Sequence, residues 1–346
     1  MKIALIGDVH WSETSSILRR YGDKYTLRLE NLIKSVQWAE DTAVQNNCDQ
    51  IIYLGDFFDR ADLRAAEITA LKEIKWNALP HKFLLGNHEI GGIKEFYNSV
   101  NALSSTGKII DKPEIETGDT WRIIYLPYIE EKGRLPITDY ISEIEDADKS
   151  SLFTILLSHN DIKGINYGIV ESTKGFSISD MENNCNICIN GHIHNRGYVS
   201  DSVLNIGNLT GQNFGEDGFE YSHGILILDT DEVKLTAYDN PNAIYFYKVE
   251  INSEKDIGKL HKISNDAVVA IRCKEEYVLP VRTILMSKSN ILESRITLIP
   301  SQNSNDSAIS QVELVNVDHI ALFNNFIIEQ LGNSNIVKEE LQEISK

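Results

Sequence analysis

Short apolar segments that end abruptly in polar, metal-ligating side chains constrain the fold of this chain more than any other feature. Residues 2–7, 50–54 and 82–85 are predicted strands, and residues 25–46 and 62–76 between them are predicted helices. This alternation predicts a parallel α/β sheet. Such sheets bind ligands at the carboxyl ends of their strands, so we expect the polar residues that follow each strand to lie together.

The first three strands each end in a residue that can ligate a metal. Asp8 and His10 follow the first strand, where alternation along an extended backbone puts both side chains on one side. Asp56 follows the second strand, and Asn87 and His88 follow the third. A turn aspartate with a surface histidine explains the first pair equally well, so that pair alone does not define a site.

Two later predicted strands, residues 152–157 and 186–189, end in His159 and in the pair His192 and His194. The combined set offers nitrogen, carboxylate and amide ligands without a thiolate, which suits manganese, iron or zinc. Six or seven ligands are too many for one ion with an open position, but they fit two ions about 3.5–4 Å apart. Such a pair clamps a phosphate ester and activates water, so the sequence predicts phosphoester hydrolysis.

The C-terminal part of the chain has a different organisation. Strands predicted at residues 245–251, 267–273 and 291–299 alternate with helices at 253–261 and 279–287, which indicates a small β-α-β-α-β domain. A polar linker and two amphipathic helices, at 317–331 and 335–344, follow. Docking of these helices on the chain's own domain and binding to a partner's groove both explain their apolar residues.

The charge balance favours an enzyme with metal ions over a typical nucleic-acid binder. The 346 residues carry 33 Lys and Arg against 51 Asp and Glu, a net charge of −18. Nucleic-acid binders usually present a basic face, so a nuclease of this composition would need metal ions or a partner's basic surface.

Neither a membrane nor an oxidising compartment is expected. The N-terminus has no signal-peptide pattern, and no apolar run approaches the roughly 18 residues that span a bilayer. Four cysteines give no disulfide framework, which favours the cytoplasm. Cys185 and Cys188 form a single C-x-x-C and are interpreted as ordinary thiols rather than zinc ligands.

Five motifs in this order resemble the calcineurin-like metallophosphoesterases: Asp-x-His, Gly-Asp-x-x-Asp, Gly-Asn-His-Glu, a lone histidine after a strand, and Gly-His-x-His. The resemblance spans residues 8–194. It implies a four-layer α/β sandwich in which two mixed sheets are flanked by helices. It also implies two divalent ions, one held by Asp8, His10 and His194, the other by Asn87, His159 and His192, with Asp56 bridging.

The resemblance further implies that His88 stays free of metal and protonates the leaving group. Asp59 and Glu89 are both candidates for the group that orients His88, since relatives often have Asp where Glu89 stands.

The segment Gly-Asp-Phe-Phe-Asp-Arg followed by Gly-Asn-His-Glu also resembles serine/threonine protein phosphatases. In that branch Asp59 would orient His88, and Arg60 would contact the phosphate. The chain lacks the glycine after Asp-Arg and has a C-terminal region that this branch does not explain. A solvated cation that pairs with Asp62 or Glu67 explains Arg60 equally well.

The Gly-His-Ile-His form, residues 204–213 and the closing strand at 224–229 resemble the SbcD-type DNA repair nucleases, especially their bacteriophage versions. This resemblance divides the chain into a nuclease domain (1–240), a DNA-capping domain (241–300), and a linker with ATPase-binding helices (301–346). It implies a homodimer that acts as exonuclease and single-strand endonuclease in DNA repair and recombination.

The same resemblance implies a coiled-coil ATPase partner of the SbcC type and manganese as the first choice of metal, with magnesium, iron or zinc as alternatives. A phage-encoded chain would work in the host cytoplasm. Arg19, Arg20, Arg60 and Arg64 are candidate DNA contacts, although a solvated pair explains Arg19 and Arg20 as well. A non-catalytic scaffold subunit is a third alternative, disfavoured because the ligand set is complete.

Overall fold

The computed structural model describes residues 1–300 apart from residues 16, 19, 92–96, 145–151 and 168–169. The strands in chain order are β1 (Lys2–Ile6), β2 (Gln50–Leu54), β3 (His81–Leu84), β4 (Lys108–Ile110), β5 (Glu114–Thr117), β6 (Trp121–Leu126), β7 (Phe153–Ser158), β8 (Ile162–Lys163), β9 (Asn166–Tyr167), β10 (Val170–Glu171), β11 (Phe176–Ser177), β12 (Ile187–Asn190), β13 (Gly197–Tyr198), β14 (Val203–Asn205), β15 (Gly224–Asp229), β16 (Lys234–Asp239), β17 (Tyr245–Ile251), β18 (Ala267–Cys273) and β19 (Ile291–Leu298). The helices are α1 (Leu27–Gln45), α2 (Ala65–Leu71), α3 (Ile137–Ser142), α4 (Ile178–Glu182), α5 (Glu254–His261) and α6 (Val278–Met286).

Two mixed sheets of six strands each form the body of the fold. The first has the order β16-β15-β1-β2-β3-β4, and the second has the order β13-β14-β12-β7-β6-β5. The central strands of each sheet run parallel, and β5, β13, β15 and β16 add antiparallel edges. The predicted α/β fold with two mixed sheets is therefore confirmed.

The two sheets pack face to face between helices, because successive residues of each strand point to opposite faces. In β1, Ala4 and Ile6 pack against α1, whereas Ile3 and Leu5 face the second sheet. The far side of the second sheet is covered by α3 and α4. The predicted four layers follow from these three cores, and the carboxyl ends of the parallel strands meet at one edge.

Helix α2 is shorter than the predicted helix at 62–76. The buried Glu67 accepts hydrogen bonds from the backbone N–H groups of Glu13 (2.7 Å) and Arg64 (2.8 Å). The residues before α2 wrap around this carboxylate instead of joining the helix. A 3₁₀ helix at Ser99–Leu103 stands at the end of the helix predicted at 92–103, most of whose start lies outside the described residues.

A third sheet, β17-β18-β19, is entirely parallel and has α5 and α6 as its crossovers. It has a separate core, which includes Val249, Leu260, Ile271 and Val281. The β-α-β-α-β order is the predicted one, while the domain boundaries at 240 and 300 stay predictions. The predicted linker and terminal helices beyond residue 300 lie outside the described residues. Among the described helices, none is long and apolar enough to cross a lipid bilayer.

Candidate metal centre

Side chains from the ends of β1, β2, β3, β7 and β12 meet at one edge of the two packed sheets. Three groups of potential ligands each have their ligand atoms within 4.8 Å of one another. The groups are Asp8, His10 and His194; His10, Asp56 and His88; and Asp56, His159 and His192. Asn87 adds its amide oxygen to the third group, 3.2 Å from Nε2 of His159 and 3.0 Å from Nδ1 of His192.

The first group is arranged around two imidazole nitrogens that face each other. Nε2 of His10 lies 3.1 Å from Nε2 of His194. The other nitrogen of each ring is held by a carboxylate: Nδ1 of His10 lies 3.0 Å from Asp59, and Nδ1 of His194 lies 2.7 Å from Glu216. Each Nδ1–H therefore donates to its carboxylate, and both Nε2 lone pairs point at the same space.

The second group has the same character. Nδ1 of His159 donates to the carbonyl oxygen of Leu54 at 2.6 Å, and Nε2 faces a carboxylate oxygen of Asp56 at 3.2 Å. His192 donates from Nε2 to Asp161 at 3.0 Å, so its Nδ1 faces the Asn87 oxygen. Burial acts to lower the pKa of His159, but the Asp56 carboxylate outweighs burial and raises this pKa to about 9. The Asp56 carboxylate therefore favours a positive charge at His159, which a proton supplies in the metal-free protein.

These residues fit two divalent cations. Lone pairs of nitrogen and oxygen converge in both groups, and like partial charges at these distances repel unless a cation lies among them. Both carboxylate oxygens of Asp8 are buried and have no hydrogen-bond partner among the described residues. Buried polar atoms almost always have partners, so a cation is the natural partner for Asp8. Asp56 belongs to two of the groups, as a bridging ligand requires.

The ligand loops have unusual backbone conformations. The angle φ is positive at Asp8 (34°), His10 (47°), Asp56 (46°) and His192 (54°). A β-carbon at Gly86 would clash with the backbone and carboxylate of Asp56, so only glycine lets the loops after β2 and β3 approach this closely. The ligand positions are thus held by backbone turns as well as by side-chain contacts.

His88 lies at the mouth of the centre. Its side chain is 43% exposed, whereas His10 and His159 are buried. Nδ1 of His88 lies 3.0 Å from the main-chain carbonyl of Asp59 and must carry the hydrogen, because a carbonyl only accepts. Nε2 of His88 is then the nitrogen that can exchange a proton with a substrate.

Glu89 does not contact the His88 side chain. It is buried, and its carboxylate accepts hydrogen bonds from the backbone N–H groups of Gly86 (2.8 Å) and Phe58 (3.1 Å). Burial, and next the Asp56 carboxylate, raise the pKa of Glu89 to about 8. Glu89 therefore ties the loop after β2 to the loop after β3.

Of the arginines predicted to meet a phosphate, Arg60 is engaged within the protein. Its guanidinium contacts Glu67 and donates to the hydroxyl groups of Ser12 (3.1 Å) and Thr14 (3.2 Å). Arg20 lies 4.0 Å from Glu293 of β19, and Arg64 precedes α2 on the surface. Arg19 lies outside the described residues.

The sequence did not predict two further functional candidates, the carboxylates of Asp161 and Glu216. Asp161 stands two residues after His159, and Glu216 lies in the Gly-, Asn- and Asp-containing loop 207–219. No local motif assigns either acid to a histidine 22 to 31 residues away. Cys185 and Cys188 lie outside the ligand groups, and burial raises the pKa of Cys185 to about 12, so it stays an ordinary thiol.

A cleft of about 410 Å³ opens beside Asn87. It is lined by Asn87, Ile90, Tyr128, Glu130, Glu131 and Lys132. The ring of Tyr128 is 6.5 Å from that of His192. The cleft therefore has one aromatic face and side chains of both charges beside the second ligand group.

The profile of the calcineurin-like phosphoesterases matches residues 1–196. No curated protein matches the sequence significantly. Among solved structures, a dimetal phosphatase from Danio rerio is 13% identical and covers 66% of this chain and 91% of its own, with a TM-score of 0.42. The protein TT1561 of Thermus thermophilus is 9% identical and covers 69% of this chain and 98% of its own, also with a TM-score of 0.42.

At TM-scores of 0.42, neither protein is close enough to show more about this chain, whereas the family profile matches it directly. The matched span covers more than half of the 346 residues. It includes every candidate ligand from Asp8 to His194, in the arrangement of two adjoining groups just described. The chain belongs to the calcineurin-like phosphoesterase family.

Proposed function

We propose that this chain is a two-metal phosphodiesterase that cuts DNA, and that it serves as the nuclease subunit of an ATPase–nuclease complex in recombination and double-strand-break processing. Phosphoester hydrolysis is supported by family membership and by the two ligand groups that share Asp56. The choice of DNA as substrate is supported by the surroundings of the centre.

The residues present would hold two divalent cations, with manganese as the first choice because the ligands are nitrogen and hard oxygen. When bound, such a pair supplies positive charge for the phosphate and a water acidic enough to attack phosphorus. Asp8, His10 and His194 would hold one ion, and Asn87, His159 and His192 the other. Asp56 lies between them and would contact both.

His88 would deliver the proton that the leaving alkoxide needs. Its Nδ1–H is fixed by the Asp59 carbonyl, so Nε2 is presented to the substrate. Its ring is 4.7 Å from that of His10, which puts it beside the ligand groups. Its exposure keeps it in contact with solvent, from which it can recover a proton after each turnover.

The observation that carries the choice of DNA is the position of the third sheet beside the centre. Leu18, in the loop after His10, packs against Ile244, Phe246 and Val268 of the small sheet region. Residues of the loop that holds Glu216 contact the same sheet. A separate sheet docked on the loops beside a phosphoesterase centre extends the surface that a long polymeric substrate can contact.

The acidic composition is compatible with this substrate. DNA affinity is largely electrostatic, and this chain has a net charge of −18. Two bound divalent ions would offset the negative charge near the cleaved phosphate, and the ATPase subunit would supply the basic surface further away. We therefore expect weak DNA binding by the isolated chain and stronger binding in the complex.

The protein phosphatase alternative requires an arginine whose guanidinium is available to contact the substrate phosphate. Arg60, the candidate, is held by Glu67, Ser12 and Thr14. The complete ligand set likewise disfavours a scaffold without catalysis. The nuclease is therefore the function that the geometry supports best.

The test compares substrates on one purified chain loaded with manganese. Linear duplex DNA, single-stranded DNA, bis-p-nitrophenyl phosphate, p-nitrophenyl phosphate and a phosphoserine peptide would be assayed side by side. Cleavage of both DNAs and of the diester, with little turnover of the peptide, is expected. Asp8→Asn should abolish cleavage, and Asp62→Asn, at an exposed carboxylate before α2, is the matched control.

Hydrolysis of the peptide with intact DNA, even in the presence of an SbcC-type ATPase, would refute the nuclease proposal. No turnover of any ester by a metal-loaded, folded chain would refute hydrolysis itself.

The partner proposal has a separate test. Co-expression with an SbcC-type ATPase should give a stable complex, and deletion of residues 312–346 should abolish it while leaving diester hydrolysis unchanged. Co-purification of the truncated chain would show that the terminal helices are not the binding element. Light scattering of the isolated chain tests the proposed homodimer.

A further inference from the structure

Glu216 links a metal-ligating histidine to a loop with many partners. Its Oε1 accepts the Nδ1–H of His194 at 2.7 Å. Its Oε2 accepts from the backbone N–H of Gln212 (2.8 Å) and from the side chain of Asn208 (2.9 Å). The carboxylate is buried, so its charge acts on His194 with little screening by water.

The residues on both sides of Glu216 dock on the third sheet. Before it, the ring of Phe214 lies edge-on to Phe246 of β17, with 5.3 Å between centroids. After it, the backbone N–H of Gly218 donates to the carbonyl of Phe246 at 2.8 Å, and Phe219 packs on Tyr247 at 4.6 Å. Glu216 thus points toward His194, whereas the residues before and after it in the same loop pack on the third sheet.

Strand β19, at the opposite edge of the third sheet from β17, contacts the same segment. The guanidinium of Arg295 lies 5.5 Å from the ring centre of Phe214. The loop is therefore not an independent lid of the metal centre. Its position is set jointly by the body that carries His194 and by the sheet that carries Phe246.

We infer that Glu216 is a positioning residue for His194, and that the seating of the third sheet on residues 214–219 sets the affinity of the ion that His194 binds. A carboxylate on the outer nitrogen fixes the tautomer and orientation of a ligating histidine and makes it a stronger ligand. Displacement of the sheet would pull Glu216 from His194 through its neighbours. The inference depends on the two-metal centre of the proposed function and not on its substrate.

The first measurement is manganese binding by calorimetry and by electron paramagnetic resonance, without any substrate. Glu216→Gln keeps the size of the side chain but removes the charge. This substitution should lower the affinity for one of the two manganese ions about 10-fold or more and leave the affinity for the other nearly unchanged. Equal affinity for both ions in this variant and the unmodified chain would overturn the positioning role.

The second measurement tests the coupling to the sheet. Phe214→Ala removes the ring that contacts Phe246 and Arg295 but touches no ligand. It should lower the affinity for the same manganese ion about threefold or more, and Phe214→Leu should cause a smaller loss of affinity. In the Glu216→Gln background the same change should have no further effect, because the connection to His194 is already broken.

Val281→Ala is the control, since it loosens the core of the third-sheet region away from the contact. It should lower stability without changing manganese affinity. Unchanged affinity in Phe214→Ala, or an equal loss with and without Glu216→Gln, would refute the coupling. A chain that binds two ions as expected but cuts no DNA would refute the proposed substrate and leave this inference standing.

Discussion

The carboxylate of Asp59 accepts a hydrogen bond from His10, with 3.0 Å between Oδ1 of Asp59 and Nδ1 of the imidazole. The same oxygen lies 3.9 Å from Nδ1 of His88, which instead faces the Asp59 carbonyl. Asp59 therefore orients a candidate metal ligand with its side chain and the proposed general acid with its backbone. A substitution of the Asp59 side chain should affect mainly the metal ligand.

Asp59→Asn should accordingly weaken metal binding. The amide oxygen can accept the same hydrogen bond without its negative charge, so His10 becomes a weaker ligand and affinity for one ion falls about 10- to 100-fold. Titration with manganese measures this loss. If manganese affinity is unchanged and only kcat falls, the side chain acts on His88 instead.

His88→Ala should reduce turnover without removing metal. Loss of a general acid typically lowers the rate about 10²- to 10⁴-fold. The metal content by elemental analysis should stay at two ions, because the resemblance leaves His88 unligated. His261→Ala, at an exposed histidine of α5, serves as the control. Full activity of His88→Ala would refute the general-acid role, and loss of an ion would make His88 a ligand.

His223 should make the metal-free protein less stable in mild acid. Burial, with Arg196 and Arg28 acting in the same direction and Glu216 opposing, lowers its pKa from 6.5 to about 4. The unfolded chain therefore binds more protons than the folded one between these values. This contribution to stability is complete above pH 6.5 and is lost as the pH falls through 4; its size is about 3 kcal/mol.

Urea unfolding in the presence of chelator, repeated from pH 4 to 8, measures this dependence. His223→Gln can still donate to Asn208, the partner of Nδ1 at 2.5 Å, but does not titrate. Its stability should vary less steeply over the same range. Parallel curves for the two proteins would exclude His223 as the source.

The buried carboxylate of Glu40 should be essential for stability. It accepts hydrogen bonds from Tyr53 (2.7 Å) and Asn77 (2.7 Å) and lies 2.9 Å from Nε2 of His81. Glu40→Ala leaves these buried groups without a partner and should lower the free energy of unfolding by about 3 kcal/mol. Glu232→Ala, at an exposed acid, should change it by less than about 0.5 kcal/mol. A loss no larger than that of the control would show that the network rearranges.

The layers of the fold and the gathering of the ligands were predictable because both follow from local patterns. A short continuous apolar run marks β1, and Gly55-Asp56 or Gly86-Asn87 marks the point where a strand stops. The carboxyl ends of parallel strands then lie at the same edge of the sheet, regardless of the conformation of the loops.

The contacts that orient the ligands were not predictable in the same way. Glu216 and Asp161 reach their histidines through loop conformations that no periodicity describes. The shorter α2 has the same origin, since the backbone contacts of the buried Glu67 outweigh the helical preference of residues 62–64. Long-range polar contacts of single side chains decide these features, and a sequence pattern does not report them.

The positive φ angles at Asp8, His10, Asp56 and His192 narrow the set of residues that evolution can use there. Besides glycine, aspartate, asparagine and histidine adopt this left-handed conformation most readily, and β-branched residues hardly adopt it at all. The chemistry and the backbone therefore select the same few amino acids. Substitutions at these positions are therefore restricted both by the chemistry of the site and by the backbone angle. A change to most other residue types would disfavour the turn as well as remove the ligating group.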